Sequence, residues 1–307
     1  MKVLLATDCS NQAYEAAKAL LSLPISEPIE VTIITALAEP YVSVPEASQQ
    51  WYPQLLQQER VRSEQHQDEL AKLLGERFII AEKVTRPGHP VRVILSEAES
   101  IHCDLIVMGA QGHSFLGRLL IGSVSDSVAT HATCSVLIVR SPGEAGDASQ
   151  SDAVSHAKRS PITDVTVGYD GSAPAREAVN EMAGLGWDEA TKFELLSVAP
   201  IYDYLLGTGL TTAAIENEEL VFREMQQRCE EMVDNISDSL PNATSCVVHD
   251  QRVGPAIVEQ AEKTNADLIV VGDAGHSLID DLLLGSTTKY VLRHAGCSVW
   301  ISRQHRQ

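Results

Sequence analysis

The sequence predicts an α/β protein made of two tandem doubly wound parallel sheets of five strands each, and three observations predict it. Short, continuously apolar runs alternate along the chain with stretches of helical periodicity, the pattern of buried parallel strands joined by crossover helices. A glycine pattern, Gly109-Ala-Gln-Gly112 followed after nine residues by Gly122-Ser123, occurs again as Gly272-Asp-Ala-Gly275, nine residues, Gly285-Ser286. In both copies Asp-Leu-Ile-Val and one more apolar residue lead into the first glycine, at 104–108 and at 267–271, so each glycine pair opens the loop at the carboxyl end of a buried strand.

The elements follow in order. Residues 3–6 read as a first strand, and Asp8-Cys-Ser-Asn11 supplies capping side chains before a helix whose Ala13, Ala16, Ala17, Leu20 and Leu21 form an apolar stripe. A second strand spans 31–37; after a segment rich in Pro, Ser and Gln, a long polar helix covers about 55–74. A third strand lies near 78–84, Gly88-His-Pro90 makes a turn, and 91–101 forms a helix with Ile94, Leu95 and Ala98 inward. The fourth strand and the glycine loop come next, then a helix capped by Ser123 and a closing strand at 135–139.

From 141 to 163 the periodicity lapses into a run of Gly, Ala, Asp and Ser that reads as a linker. The pattern then restarts: residues 165–170 repeat the first strand with its terminal aspartate, and Ser172 opens the matching helix. Asp8 and Asp170 lie 162 residues apart and Gly109 and Gly272 lie 163 apart, so whole domains are duplicated, at 1–140 and 164–307. A chain of 307 residues has room for two full cores.

Composition excludes several function classes. The formal charge of −19 argues against general binding to nucleic acid or anionic membrane. No apolar run reaches the length of a bilayer span, and the opening residues read as a strand rather than a signal peptide, so the expected location is the cytoplasm. The six cysteines show no metal-finger or C-x-x-C spacing; Cys134 and Cys297, ahead of the closing strands, read as buried packing thiols.

In an open sheet of this kind ligands bind beyond the carboxyl ends of the strands, where strand order reverses, and Asp8 with Gly109, or Asp170 with Gly272, belong at that edge. A glycine-rich loop entering a helix there turns backbone N–H groups toward an anion at the positive end of the helix. Phosphate is the expected anion. The aspartate suits a ribose hydroxyl, an adenine amine or a divalent ion, and it equally suits helix capping. No lysine follows a glycine, so there is no P-loop, and the G-x-G-x-x-G fingerprint is absent. His113 and His276 follow the second loop glycines but belong to no recognisable catalytic group.

The aspartate after the first strand, Gly-x2-Gly-x9-Gly-Ser after the fourth and the closing apolar strand together resemble the universal stress protein family in its tandem form. The resemblance implies a Rossmann-like, adenine nucleotide alpha hydrolase-like fold that binds ATP, or AMP or ADP, with Mg as a further option and with no assigned metal ligands. It implies a first site of Asp8, Ala36, Met108, Gly109, Gly112, Gly122, Ser123 and Val124. The second would use Asp170, Val198, Val271, Gly272, Gly275, Gly285, Ser286 and Thr287. The implied role is a stress-response regulatory module with little or no turnover; a slow ATPase or phosphotransfer enzyme and a nucleotide-free scaffold are the alternatives. The closing strands pair across dimers in this family, which implies an intrachain pseudo-dimer of the two halves, with homodimers of whole chains as a further option. Departures are Cys134-Ser135 and Cys297-Ser298 where the family has Cys-Pro, and Gly254-Pro255 close before Ile257, which leaves the end of the second half's third strand open.

The two sites are expected to be unequal. Between Gly109 and Ser123 the sole charged residue is Arg118, whereas Gly272 to Ser286 holds Asp273, Asp280 and Asp281, which predicts weaker ATP binding in the second half.

Overall fold

The computed structural model describes residues 1–25, 28–37, 52–75, 77–111, 121–140, 161–200, 212–274 and 284–303. The chain divides into two compact units with a boundary between residues 160 and 161.

The first unit runs β1 (Lys2–Thr7), α1 (Asn11–Ser22), β2 (Glu30–Leu37), α2 (Tyr52–Leu74), β3 (Ile79–Pro87), α3 (Pro90–Ser100), β4 (Leu105–Gly109), α4 (Ser123–His131) and β5 (Ser135–Val139). Its strands are parallel in the order β3-β2-β1-β4-β5. Val3, Leu4, Leu5, Leu105, Ile106 and Val107 are wholly buried, which is why these runs are apolar throughout rather than alternating. Helix α1 packs with α2 and α3 with α4, so both faces of the sheet are covered.

The second unit repeats this with β6 (Asp164–Gly168), α5 (Ala173–Ala183), β7 (Lys192–Pro200), α6 (Thr212–Ile236), β8 (Ala243–Asp250), α7 (Val253–Thr264), β9 (Leu268–Gly272), α8 (Ser286–His294) and β10 (Ser298–Ser302). Its parallel order is β8-β7-β6-β9-β10. Register confirms the duplication, since Lys2 pairs with Glu30 and Asp164 with Lys192, each 162 residues on. In each unit the strand order reverses between the first and fourth strands, which opens a crevice at their carboxyl ends.

Several local expectations are corrected. β3 continues to Pro87, opposite Leu37, because an edge strand tolerates a residue without an N–H. Leu21 and Leu95 are only half-buried. The inward stripe of α3 is Ile94, Glu97 and Ala98, with the Glu97 carboxylate accepting from Arg86 Nε at 2.8 Å. Cys134 is buried, but Cys297 is only half-buried. β8 ends at Asp250, and Gly254 lies in the first turn of α7, where a Cβ would come within 2.8 Å of Tyr290. The glycine there lets α7 lie against α8.

Candidate functional site

In the first unit β1 ends at Thr7, and the next three residues form a tight turn into α1. Asp8 Oδ1 accepts the Ser10 N–H at 3.1 Å, and Thr7 Oγ1 accepts the Cys9 N–H at 3.1 Å. Cys9 stands at φ +64°, in the left-handed region; its counterpart Gly171 stands at φ +76°. Asp170 makes the same turn, with Oδ1 accepting the Ser172 N–H at 2.9 Å, and Ser172 Oγ caps α5 by accepting the Ala175 N–H at 3.3 Å. Both aspartates therefore hold the strand-to-helix turn and face the crevice at once.

The glycines have two distinct roles. A Cβ on Gly109 would lie 2.8 Å from Gln12 Cβ and 3.2 Å from the Gln12 carbonyl, and one on Gly272 would lie 2.9 Å from Pro174 Cβ and 3.0 Å from its backbone. These first glycines let the helix after the first strand close onto the fourth. Gly122 and Gly285 are the N-cap residues of α4 and α8, at φ −67° and −58°. This corrects Ser123, which is the first helical residue rather than the cap.

Each helix start is fastened to the strand end. The Gly122 N–H donates to the Ala110 carbonyl at 2.8 Å, and Ser125 Oγ donates to the Gly109 carbonyl at 2.8 Å. In the second unit the Gly285 N–H donates to the Asp273 carbonyl at 2.8 Å, and Thr288 Oγ1 to the Gly272 carbonyl at 2.7 Å. The first i to i+4 bonds are Asp126 N–H to Gly122 and Lys289 N–H to Gly285, so the N–H groups of residues 123–125 and 286–288 have no carbonyl within their helices. They form the positive end of the helix.

These parts enclose a cavity of about 710 Å³ in the first unit, lined by Asp8, Ala36, Met108, Gly109, Gly122, Ser123 and Val124. The second unit has a cavity of about 460 Å³ lined by Asp170, Val198, Val271, Gly272, Gly285, Ser286 and Thr287. Both volumes are of the size that takes a small-molecule ligand. All the sequence-assigned residues are thus brought together except Gly112 and Gly275, which lie outside the described residues, as do His113, His276, Arg118, Asp280 and Asp281.

The long helices supply residues that sequence reading missed. Leu55, Glu59, Arg62 and Ser63 of α2 line the first cavity, and Val221, Glu224, Met225 and Arg228 of α6 line the second. Their spacing was the available signal. In α2 the same stripe continues into buried His66, Gln67, Leu70 and Leu74, and in α6 into buried Cys229, Met232 and Ile236.

Of the charges that set the two loops apart, Asp273 lies among the described residues, whereas Arg118, Asp280 and Asp281 do not. Asp273 and Arg303 are 0% and 1% exposed and form an ion pair at 3.4 Å, so Asp273 is buried against an arginine rather than offered to a ligand. Among the described residues the charged lining groups are Asp8, Glu59 and Arg62 in one cavity and Asp170, Glu224 and Arg228 in the other, net −1 in each. Burial pushes the Cys9 thiol up, outweighing the opposing influence of its hydrogen bond to Ser63 Oγ, so it stays protonated. No group of three His, Cys, Asp or Glu side chains able to hold a metal occurs among the described residues.

Comparison with known proteins shows where this architecture belongs. The family model described as the universal stress protein family matches residues 1–140 and again 161–303. A universal stress protein of Methanocaldococcus jannaschii is 32% identical over 143 residues, covering 46% of this chain and 82% of its own length. One of Mycolicibacterium smegmatis is 25% identical over 307 residues, covering 98% of this chain and 96% of its own. The crystal structure of a universal stress protein from Archaeoglobus fulgidus superposes with a TM-score of 0.65 at 19% identity, covering 98% and 96% of the two chains, a likeness of fold. The chain belongs to the universal stress protein family, in its tandem two-domain form.

Proposed function

We propose that this protein is a regulatory adenine-nucleotide-binding module, with ATP as the ligand of the first unit and little or no turnover. One observation carries the reading: a single cavity of about 710 Å³ joins the start of α4 to Asp8, Ala36 and the face of α2. The unpaired N–H groups at residues 123–125 suit phosphate oxygens, Asp8 suits a ribose hydroxyl, and the walls at Ala36, Leu55 and Ile94 suit a flat apolar base. The second cavity repeats the phosphate end. Any Mg²⁺ is assigned in this reading to the phosphates of the nucleotide.

Low turnover is supported by the chemistry of the lining. Asp8 Oδ1 is engaged by the Ser10 N–H, which favours a holding role over that of a base, and the Cys9 thiol is held in its unreactive form. Six free cysteines suit a reducing compartment, and no helix among the described residues is long and apolar enough to cross a membrane, so the reading places the protein in the cytoplasm. Stress response is carried over from the family.

The units are read as domains 1–140 and 164–307 joined by a linker. Their closing strands, Val136-Leu-Ile-Val and Val299-Trp-Ile, are apolar edges that need a partner, and we assign each as the partner of the other in an intrachain pseudo-dimer. Small-angle scattering showing two separated lobes would contradict that assignment.

Mass spectrometry of the denatured, gently purified protein tests the ligand. The expected result is a co-purified adenine nucleotide and no accumulation of ADP over hours with added ATP. Steady ADP release would replace the binding module with a slow ATPase, and no nucleotide at any added concentration would leave a scaffold.

A further inference from the structure

The two cavities repeat one end and differ at the other. The end built from the fourth strand and the following helix is retained, with glycine at 109 and 272 and at 122 and 285, and Ser123 matched by Ser286. The opposite end, built from the first and second strands and the long helix, is not retained. Register and helix position match residues 162 apart there, since Thr35 meets Gln67 of α2 and Ser197 meets Cys229 of α6. By that correspondence Thr7, Ala36 and Ser63 of the first cavity become Tyr169, Val198 and Met225 in the second.

All three changes enlarge the side chain. Glu59 and Arg62 become the shorter Val221 and Glu224, which by themselves would widen the second cavity, yet it measures about 460 Å³ against about 710 Å³. Tyr169, Val198 and Met225 bring larger side chains to this end of the second cavity. The described charged lining groups sum to −1 in each cavity. What differs at the end away from α4 and α8 is the size of the side chains at Tyr169, Val198 and Met225.

We propose that the second cavity selects a nucleotide with a one-ring base and excludes the purine nucleotide that the first admits. The inference rests on the nucleotide reading above. Tyr169, Val198 and Met225 are its specificity-determining residues: they leave the phosphate end intact and shorten the chamber for the base. A hydrophobic pocket too small by a few methylenes rejects a ligand by about tenfold or more.

Calorimetric titration of the full chain with ATP and with UTP tests this. Wild-type protein is expected to bind one ATP per chain tightly. With the first cavity blocked by Gly122→Asp, the remaining site is expected to bind UTP at least about tenfold more tightly than ATP. Adding Tyr169→Thr, Val198→Ala and Met225→Ser to that chain is expected to erase the preference. The reciprocal pair Ala36→Val and Ser63→Met, in a chain blocked by Gly285→Asp, is expected to move the first cavity's preference from ATP toward UTP, and it does not depend on the second unit's tolerating three core changes. ATP bound in the second cavity as tightly as UTP, or neither bound there, would overturn the selectivity. Two equal ATP sites would do so while leaving the nucleotide reading in place, whereas failure of ATP to bind the first cavity would remove that reading itself.

Discussion

Replacing Gly109 by alanine separates packing from ligand binding. The new Cβ would lie 2.8 Å from Gln12 Cβ and 3.2 Å from Gln12 backbone atoms, so α1 must withdraw from the end of β4. Overpacking of this kind costs about 1–3 kcal/mol, and the lower freedom of an unfolded alanine returns about 0.4–1 kcal/mol, leaving a net loss of about 1–2 kcal/mol. For a unit of this size that corresponds to roughly 2–8 °C in melting temperature. Gly272→Ala should cost the second unit at least as much, because the obstructing atoms belong to the rigid Pro174. Gly296→Ala, with nothing within 4 Å of the new Cβ, is the control and should raise stability by about 0.4–1 kcal/mol. Hydrogen–deuterium exchange on nucleotide-free protein reads the units separately, through the amides of β4 and β9. Gly109→Ala should speed the slowest β4 exchange by about tenfold and leave β9 unchanged. Unaltered β4 exchange together with lost ATP binding would refute the packing role and return this glycine to the ligand.

Three further outcomes follow from the geometry. Ser125→Ala and Thr288→Ala each remove a hydroxyl tie between a helix start and a glycine carbonyl, and should cost their units about 1 kcal/mol in urea unfolding. Asp273→Ala removes one side of the buried ion pair with Arg303 and should lower the melting temperature of the second unit, as measured by thermal unfolding. The Cys9 thiol, raised by burial, should react with iodoacetamide more slowly at pH 8 than an unstructured cysteine and accelerate only as pH rises further. A folded thiol pKa above the unfolded value contributes stability below the unfolded pKa and loses it as pH rises, so Cys9→Ser should flatten the alkaline fall in stability.

The strand and helix order was legible because buried parallel strands are apolar along their whole length and cannot be confused with the polar segments between them. The site's own loops were legible for the same reason, since glycine pairs repeated at one spacing after two such strands mark the sheet edge. What the pattern misassigned was the reason for Gly109 and Gly272, because a close approach by Gln12 or Pro174 is a tertiary fact with no local trace. Glu59 and Arg62 were passed over because charged residues on a long polar helix read as solvated. Only the packing of α2 against β2 and β3 makes them a cavity wall. In the charge contrast between the loops, the burial of Asp273 against Arg303 is likewise a tertiary fact with no local trace, and Arg118, Asp280 and Asp281 lie outside the described residues.

Calorimetric titration of ATP into the nucleotide-free full chain, with and without Gly122→Asp, tests the central claim most directly. A carboxylate at the N-cap of α4 stands where phosphate is proposed, and like charges about 4 Å apart repel by about 1–4 kcal/mol between water-like and surface dielectrics. The backbone at Gly122, φ −67° and ψ 150°, accepts a side chain, so the fold is expected to persist. The account predicts saturable ATP binding by the parent protein and a loss of at least about tenfold in the folded variant. Equal affinity in the two proteins, or no binding by the parent, would contradict it.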